Sequence, residues 1–208
     1  MKIRGKEINK KWFENYWYYY KIHTIAGIFI LILLVYSIVE CANKVNPDAT
    51  VSYIGALYFG EEFSADFEQK LSDCIDDIDG DGIKKIIFNS LTLSDDVKSE
   101  QDIAMQQKVQ LEIAVGETYL YFMDKKYFDI YNEQGIFLDI SEHVGEEGEP
   151  VYGIKAGKSP ILHDLGIKED TDVYVALRVM TAGDEKKAYK AASHANAVKI
   201  IKELYKTN

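Results

Sequence analysis

Residues 22–39 (IHTIAGIFILILLVYSIV) run for 18 positions without an Asp, Glu, Lys or Arg. Coiled as an α-helix rising about 1.5 Å per residue, they span roughly 27 Å, close to the ~30 Å hydrocarbon core of a bilayer. A helix packed on a soluble core keeps one polar face, and this stretch has none. It predicts a transmembrane helix and divides the chain into a short leading flank and one long following segment.

The flanks set the expected orientation. Lys2, Arg4, Lys6, Lys10, Lys11 and Lys21 precede the apolar run, against Glu7 and Glu14. Positive residues close to a membrane helix stay cytoplasmic, which places residues 1–21 inside and the rest outside. Trp12, Phe13, Tyr16, Trp17, Tyr18, Tyr19 and Tyr20 crowd the same boundary. Rings with a polar tip favour the half-wet interfacial layer. A cleaved signal peptide fits less well. Its apolar run is usually about 7–15 residues and ends in small residues, whereas the cleavage positions here read Val39-Glu40-Cys41-Ala42. Glu40 also stands where a lipoprotein signal ahead of Cys41 would need a small neutral residue.

The expected organisation is a basic, aromatic flank (1–21), a membrane helix (22–39), a linker (40–50) containing Pro47, and one extracytoplasmic domain (51–208). The whole chain carries 24 basic and 34 acidic residues, a net charge of -10. Residues 1–40 contain 6 basic and 3 acidic residues, which leaves 18 against 31, or -13, for the remainder. Such an acidic domain argues against nucleic acid and anionic headgroups as partners. Two cysteines make no disulfide framework. A Cys41–Cys74 bridge would tether the domain to the bilayer, and two unpaired thiols is the plainer reading.

Beyond the linker, short apolar runs alternate with helical periodicity. Strands are predicted at 51–59, 84–91, 119–123 and 172–179, with residues 137–140 extended and a short strand allowed at 151–155. Helices are predicted from a Ser64 cap through Phe67, Leu71 and Ile78, over 99–115 with Ile103, Val109 and Ile113 buried, over 125–134, and over 184–205. The last keeps Ala188, Ala191 or Ala192, Ala195, Val198, Ile201 and Tyr205 on one face. Alternating strands and helices imply an α/β fold: one three-layer αβα domain with a mostly parallel sheet.

Within this pattern, three segments follow a familiar order. They are Lys108-Val109-Gln110-Leu111 through Gly116-Glu117, then Leu120-Tyr121-Phe122-Met123-Asp124, then Tyr131 through Gly135-Ile136-Phe137-Leu138-Asp139-Ile140-Ser141. The chain here resembles one lobe of the extracellular solute-binding proteins of ABC transporters, the type 2 periplasmic-binding fold. Residues 172–201 are similar to that family's closing strand and helix. The Lys-rich aromatic entry (Trp17 to His23) looks like that of uncharacterised single-span membrane proteins of Gram-positive bacteria. The resemblance implies the fold of one lobe. The family's two-lobed ligand trap would need a second lobe, for which this chain has no residues, and the Gly- and Glu-rich connector at 141–159 falls where it would be inserted.

Asp77-Ile78-Asp79-Gly80-Asp81-Gly82 is the sharpest local motif. Carboxylates at Asp77, Asp79 and Asp81 followed by Gly match the start of a calcium loop, but Lys85 and Phe88 stand at its ninth and twelfth positions. Weak calcium binding and a simple helix-to-strand turn both remain open. The four histidines, His23, His143, His163 and His194, have no ligand spacing. Gly153-x-x-x-Gly157-Lys158-Ser159 lacks one residue for a P-loop. No nucleophile elbow is present, so the expectation is a non-enzyme without a cofactor. A parallel sheet would place a ligand beyond its strand carboxyl ends, where Glu61, Asn89 and Asp124 are the candidate polar groups, against ordinary loop polarity as the alternative.

The functional expectation is therefore a non-enzymatic binding domain held at the outer face of a membrane. One form is a protein-interaction module in an envelope or transport complex. The alternative is a membrane-anchored small-solute receptor for an ABC transporter, which would need dimerisation to rebuild a cleft. A membrane-bound hydrolase is disfavoured.

Overall fold

A computed structural model describes residues 10–42, 46–94, 99–146, 148–181 and 183–206. They fall into two compact units, Met1–Val45 and Asn46–Asn208. The first is one helix, α1 (Lys10–Ala42), of 33 residues, about 50 Å long at 1.5 Å per residue. Its segment Tyr16–Ile38 is long and apolar enough to cross a membrane. Tyr16, Trp17, Tyr18, Tyr19 and Tyr20 are all exposed. Five successive positions at about 100° each encircle a helix, so these rings form a girdle rather than a stripe. The side chains of Trp12, Phe13 and Cys41 lie outside the described residues.

The second unit is built on five strands: β1 (Ala49–Gly55), β2 (Ile86–Thr92), β3 (Leu120–Asp124), β4 (Ile154–Lys155) and β5 (Val173–Leu177). Their order is β2-β1-β3-β5-β4. β1 pairs in parallel with both β2 and β3, while β5 is antiparallel to β3 and to β4. The sheet is thus mixed, which corrects the expected mostly parallel one. The crossovers β1-α2-β2 and β2-α3-β3, through α2 (Glu61–Leu71) and α3 (Glu100–Val115), keep the first three strands in one direction. After β3 the chain runs through α4 (Lys125–Glu133), α5 (Ser141–Val144), β4 and α6 (Pro160–Asp164) before re-entering as β5 from the opposite end. A central strand buried on both faces has the same apolar pattern in either direction, so residues 173–177 carried no sign of their polarity.

Strand alternation distributes the core. Val51, Tyr53, Leu120 and Phe122 face one layer with Phe67 and Leu71 of α2 and Ile200, Ile201 and Leu204 of α7 (Ala188–Leu204). Ile54, Tyr121 and Met123 face the other, with Val109 and Ile113 of α3 and Phe128 of α4. α3 starts on a capping box, in which Ser99 and Asp102 satisfy each other's backbone N–H, and stops at Gly116 with φ 67°. Ile103, expected inside, is 49% exposed, because it lies well around the helix from Val109 and Ile113. α2 begins earlier than expected, with Gly60 as its N-cap; Ser64 lies inside the helix and donates back to the Gly60 carbonyl.

α7 presents a different face from the one its sequence suggested. Ser193, Asn196, Ala197, Ile200, Ile201 and Leu204 are buried, while Ala195 is exposed. The rotation brings polar Asn196 inside, where its Nδ2 donates to the carbonyls of Asp48 (3.1 Å) and Asp76 (2.8 Å), and its Oδ1 accepts from the Asp76 N–H (2.9 Å). Asp48 is itself 1% exposed and accepts from the N–H groups of Ile78 (2.6 Å) and Lys85 (2.8 Å). These bonds fasten the start of β1, the acidic loop and the last helix together. Asn196→Ala should lower the unfolding free energy of the domain by about 1–3 kcal/mol, because three backbone groups, one buried and two part-buried, lose their partner. Ala195→Ser should change it by under about 0.5 kcal/mol. Urea titration of both variants checks the rotation.

Candidate functional site

β1 and β3 are neighbours, and the chain leaves β1 for α2 over one face of the sheet and leaves β3 for α4 over the other. The resulting switch point lies beyond the carboxyl ends of β1 and β3, the place where an open α/β sheet holds a ligand. In this chain the crevice is filled from within. The Tyr53 hydroxyl donates to Asp124 Oδ1 at 2.7 Å, and the Ala56 N–H donates to Asp124 Oδ2 at 2.7 Å. The Leu57 N–H donates to the same Tyr53 oxygen at 2.7 Å. Both carboxylate oxygens and the hydroxyl are therefore engaged by the protein's own groups. Burial, and after it the bond to Asp124, pushes the Tyr53 phenol well above its ordinary pKa.

Gly55 makes this closure possible. A Cβ there would sit 2.2 Å from the Tyr53 hydroxyl oxygen and 2.3 Å from Asp124 Oδ1. The same approach ends β1 at Gly55, four residues before the expected Phe59. Outside the knot lies an open recess of about 500 Å³ lined by Leu57, Asp124, Lys125, Lys126, Asp170 and Asp172. Its charges are already paired in part, Lys125 with Asp129 (2.6 Å) and Asp172 with Lys155 (3.2 Å). Leu57 and Tyr58, which follow the knot, are 42% and 80% exposed.

Of the three candidate ligand-binding residues, Asp124 stands at the switch point. Glu61 is the first residue of α2 and lines a different recess, between α2 and β2. Asn89, a candidate for the mouth beyond the strand ends, sits inside β2 opposite Ser52, because β2 stays paired with β1 as far as Thr92. The expected convergence of Glu61, Asn89 and Asp124 on one mouth is therefore corrected for Asn89, and Glu61 and Asp124 border separate recesses.

The acidic motif folds as a turn. Asp77 accepts from the N–H groups of Gly80 (2.7 Å) and Gly82 (2.9 Å), Asp79 from Asp81 (3.2 Å) and Asp81 from Ile83 (2.7 Å). Gly80 and Gly82 take φ values of 77° and 83°. The bonds from Gly82 and Gly80 hold the Asp77 carboxyl below its usual range. Asp77 and Asp79 cluster with Asp48, while Asp81 stands outside the group; the grouped ligand atoms lie within 4.8 Å of one another. Calcium takes about six to eight oxygens. Asp48 and Asp77 each accept an amide N–H at both carboxylate oxygens and so brace the loop.

Elsewhere, the P-loop-like run is a packing device. Gly153 lies against the Phe128 ring and Gly157 against the backbone of Lys168 and Glu169. Ser159 Oγ donates to the Leu204 carbonyl at 2.6 Å, and Lys158 pairs with Glu146. Cys74 is a free thiol, half-buried and donating to the Leu71 carbonyl, with its pKa raised by burial to about 11. His194 packs edge-on against Tyr119 with its Nε2 buried. Sequence reading missed Tyr53, Gly55 and Asp48. The only signals were a lone Gly at the end of an apolar run and an Asp just ahead of one.

The chain matches no protein-family profile, no curated protein and no solved structure.

Tyr53→Phe should destabilise the domain by about 1–3 kcal/mol, since it strips Asp124 Oδ1 and the Leu57 N–H of their shared partner. Gly55→Ala should cost at least as much through overpacking. Thermal melts of the two variants check both, and a near-neutral Gly55→Ala would mean that the crevice is open.

Proposed function

We propose that the chain is a membrane-anchored, non-enzymatic interaction protein, whose α/β domain sits outside the cytoplasm and binds a protein partner of the cell envelope. One observation carries the reading: the switch-point crevice is occupied by the Tyr53–Asp124 knot, with its carboxylate oxygens and hydroxyl already engaged. A polar solute recognised there would have to break three hydrogen bonds before making its own. Exposed Leu57 and Tyr58 beside the knot instead offer the aromatic and apolar surface typical of protein contacts.

The anchor rests on α1. Apolar side chains from Ile22 to Ile38 are exposed, a surface that water penalises and lipid accepts. Lys and Arg on the leading flank and the aromatic girdle favour a cytoplasmic N-terminus. The net charge of -13 after residue 40 suits a domain facing water and basic partners.

The test uses the full chain in nanodiscs, melted with and without a panel of amino acids, short peptides, sugars, phosphate and calcium, with its mass measured alongside. The expected result is a monomer whose melting temperature moves by less than about 2 °C with every solute. A solute that raises it further, or that drives dimerisation, would replace this reading with the solute receptor. Protease added to intact cells should remove the carboxyl-terminal domain, and survival of that domain would overturn the anchor.

A further inference from the structure

We infer that the outer edge of β2 is a docking site for an extended segment of a partner protein, in which apolar residues alternate with Lys or Arg, added as a sixth strand. This rests on the interaction reading above and names its surface and the chemistry of its partner.

β2 ends the sheet on one side. The Lys85 carbonyl accepts from the Ala49 N–H and the Leu93 N–H donates to the Gly55 carbonyl, so the odd-numbered residues turn their backbone toward β1. By alternation, the N–H and C=O groups of Ile86, Phe88, Ser90 and Thr92 point outward, where no other strand lies among the described residues. Edge strands are normally blunted by shortness, proline, a bulge or a charged residue. β2 is seven residues long, reads IIFNSLT, and pairs with β1 without a bulge. It carries the features of an edge built to be completed.

A groove accompanies this edge. An open recess of about 510 Å³ runs between β2 and α2, bounded by Tyr58, Gly60, Ser64, Ala65 and Glu68 on one side and by Ile86, Ile87, Phe88 and Ser90 on the other. Small Ser64 and Ala65 leave room for the inward side chains of an added strand, and exposed Tyr58 lies at the groove's wall. Charge selects the occupant. α2 holds Glu61, Glu62, Asp66 and Glu68 against Lys70, a net of -3 (one basic minus four acidic); within the groove itself Lys85 pairs with Glu68 at 2.9 Å, which leaves Glu61 as its acid beyond that pair. Two copies joined edge to edge would set two such helices side by side, whereas a strand bearing Lys or Arg finds Glu61 at the groove. Backbone hydrogen bonds supply the affinity and alternate side chains the selectivity.

The experiment measures fluorescence anisotropy of labelled peptides of β2's length, seven residues, against the full chain in phosphatidylcholine nanodiscs, with empty nanodiscs as blank. The probes are a Val/Lys alternating peptide, the same peptide N-methylated on alternate amides, and a Val/Glu version. The expected result is saturable binding of the first, roughly tenfold or more weaker for the other two. Ser90→Pro removes an outward N–H together with a long hydroxyl contact to Thr92 (3.5 Å), and Ala65→Arg fills the groove from an exposed position of α2; each should weaken binding by a similar factor while the melting temperature holds. Binding unaffected by N-methylation and by both variants would overturn the proposal, as would no binding of the Val/Lys peptide. A chain that is dimeric until Ser90→Pro is introduced would assign the edge to a second copy and overturn it too. A solute-induced melting shift defeats the interaction reading itself, whereas silence of both solutes and peptides defeats only the edge.

Discussion

The contact between the Tyr53 hydroxyl and the Asp124 carboxylate governs how this domain meets the outside. It joins the carboxyl ends of the two strands between which an α/β sheet ordinarily opens. Everything near it is fitted to the contact: Gly55 yields its side-chain volume, and Ala56 and Leu57 turn their N–H groups inward to complete it. What remains outside is the rim, with Leu57 and Tyr58 exposed to whatever approaches. Closing a pocket and offering a surface are here two results of one set of hydrogen bonds.

A second polar knot lies at the other end of β1. Asp48 and Asn196 are nearly inaccessible; the Asp48 carboxylate accepts from the Ile78 and Lys85 N–H groups, and the Asn196 amide bonds the backbone of Asp76 and of Asp48. Buried polar groups are tolerable when every bond is made and costly when one is missing. The Asp77–Gly82 run belongs to this arrangement: its carboxylates brace their own turn, and its glycines supply the left-handed backbone that the turn requires.

Much of the architecture was readable before any coordinates. An 18-residue run without charge can hardly be anything but one apolar helix, and apolar runs alternating with amphipathic ones imply helices on a sheet. The helix predicted over 99–115 matches α3, whose ends Ser99, Asp102 and Gly116 fix by local chemistry. The failures share a cause: burial and pairing between residues distant in sequence leave no local trace. β5 reads as an apolar run whichever way it points. On α7 the alanines diluted the periodicity, and the decisive buried residue is a polar one whose partners lie 120 or more positions away. Asn89 looked like a strand terminus because Asn and Ser favour turns, yet pairing to β1 carries the strand through them. Of the candidate site residues the fold places Asp124 at the switch point, and its partner Tyr53 looked like ordinary strand filling.

The most direct test of the closed crevice is amide hydrogen exchange at Ala56 and Leu57. Both residues follow the end of a strand, and Leu57 is 42% exposed, so free loop amides there would exchange at once. With the Tyr53–Asp124 knot in place, both should be protected in the protein alone and no further protected by any solute. Exchange at the rate of an open loop, or protection that appears only when a small molecule is added, would contradict the account.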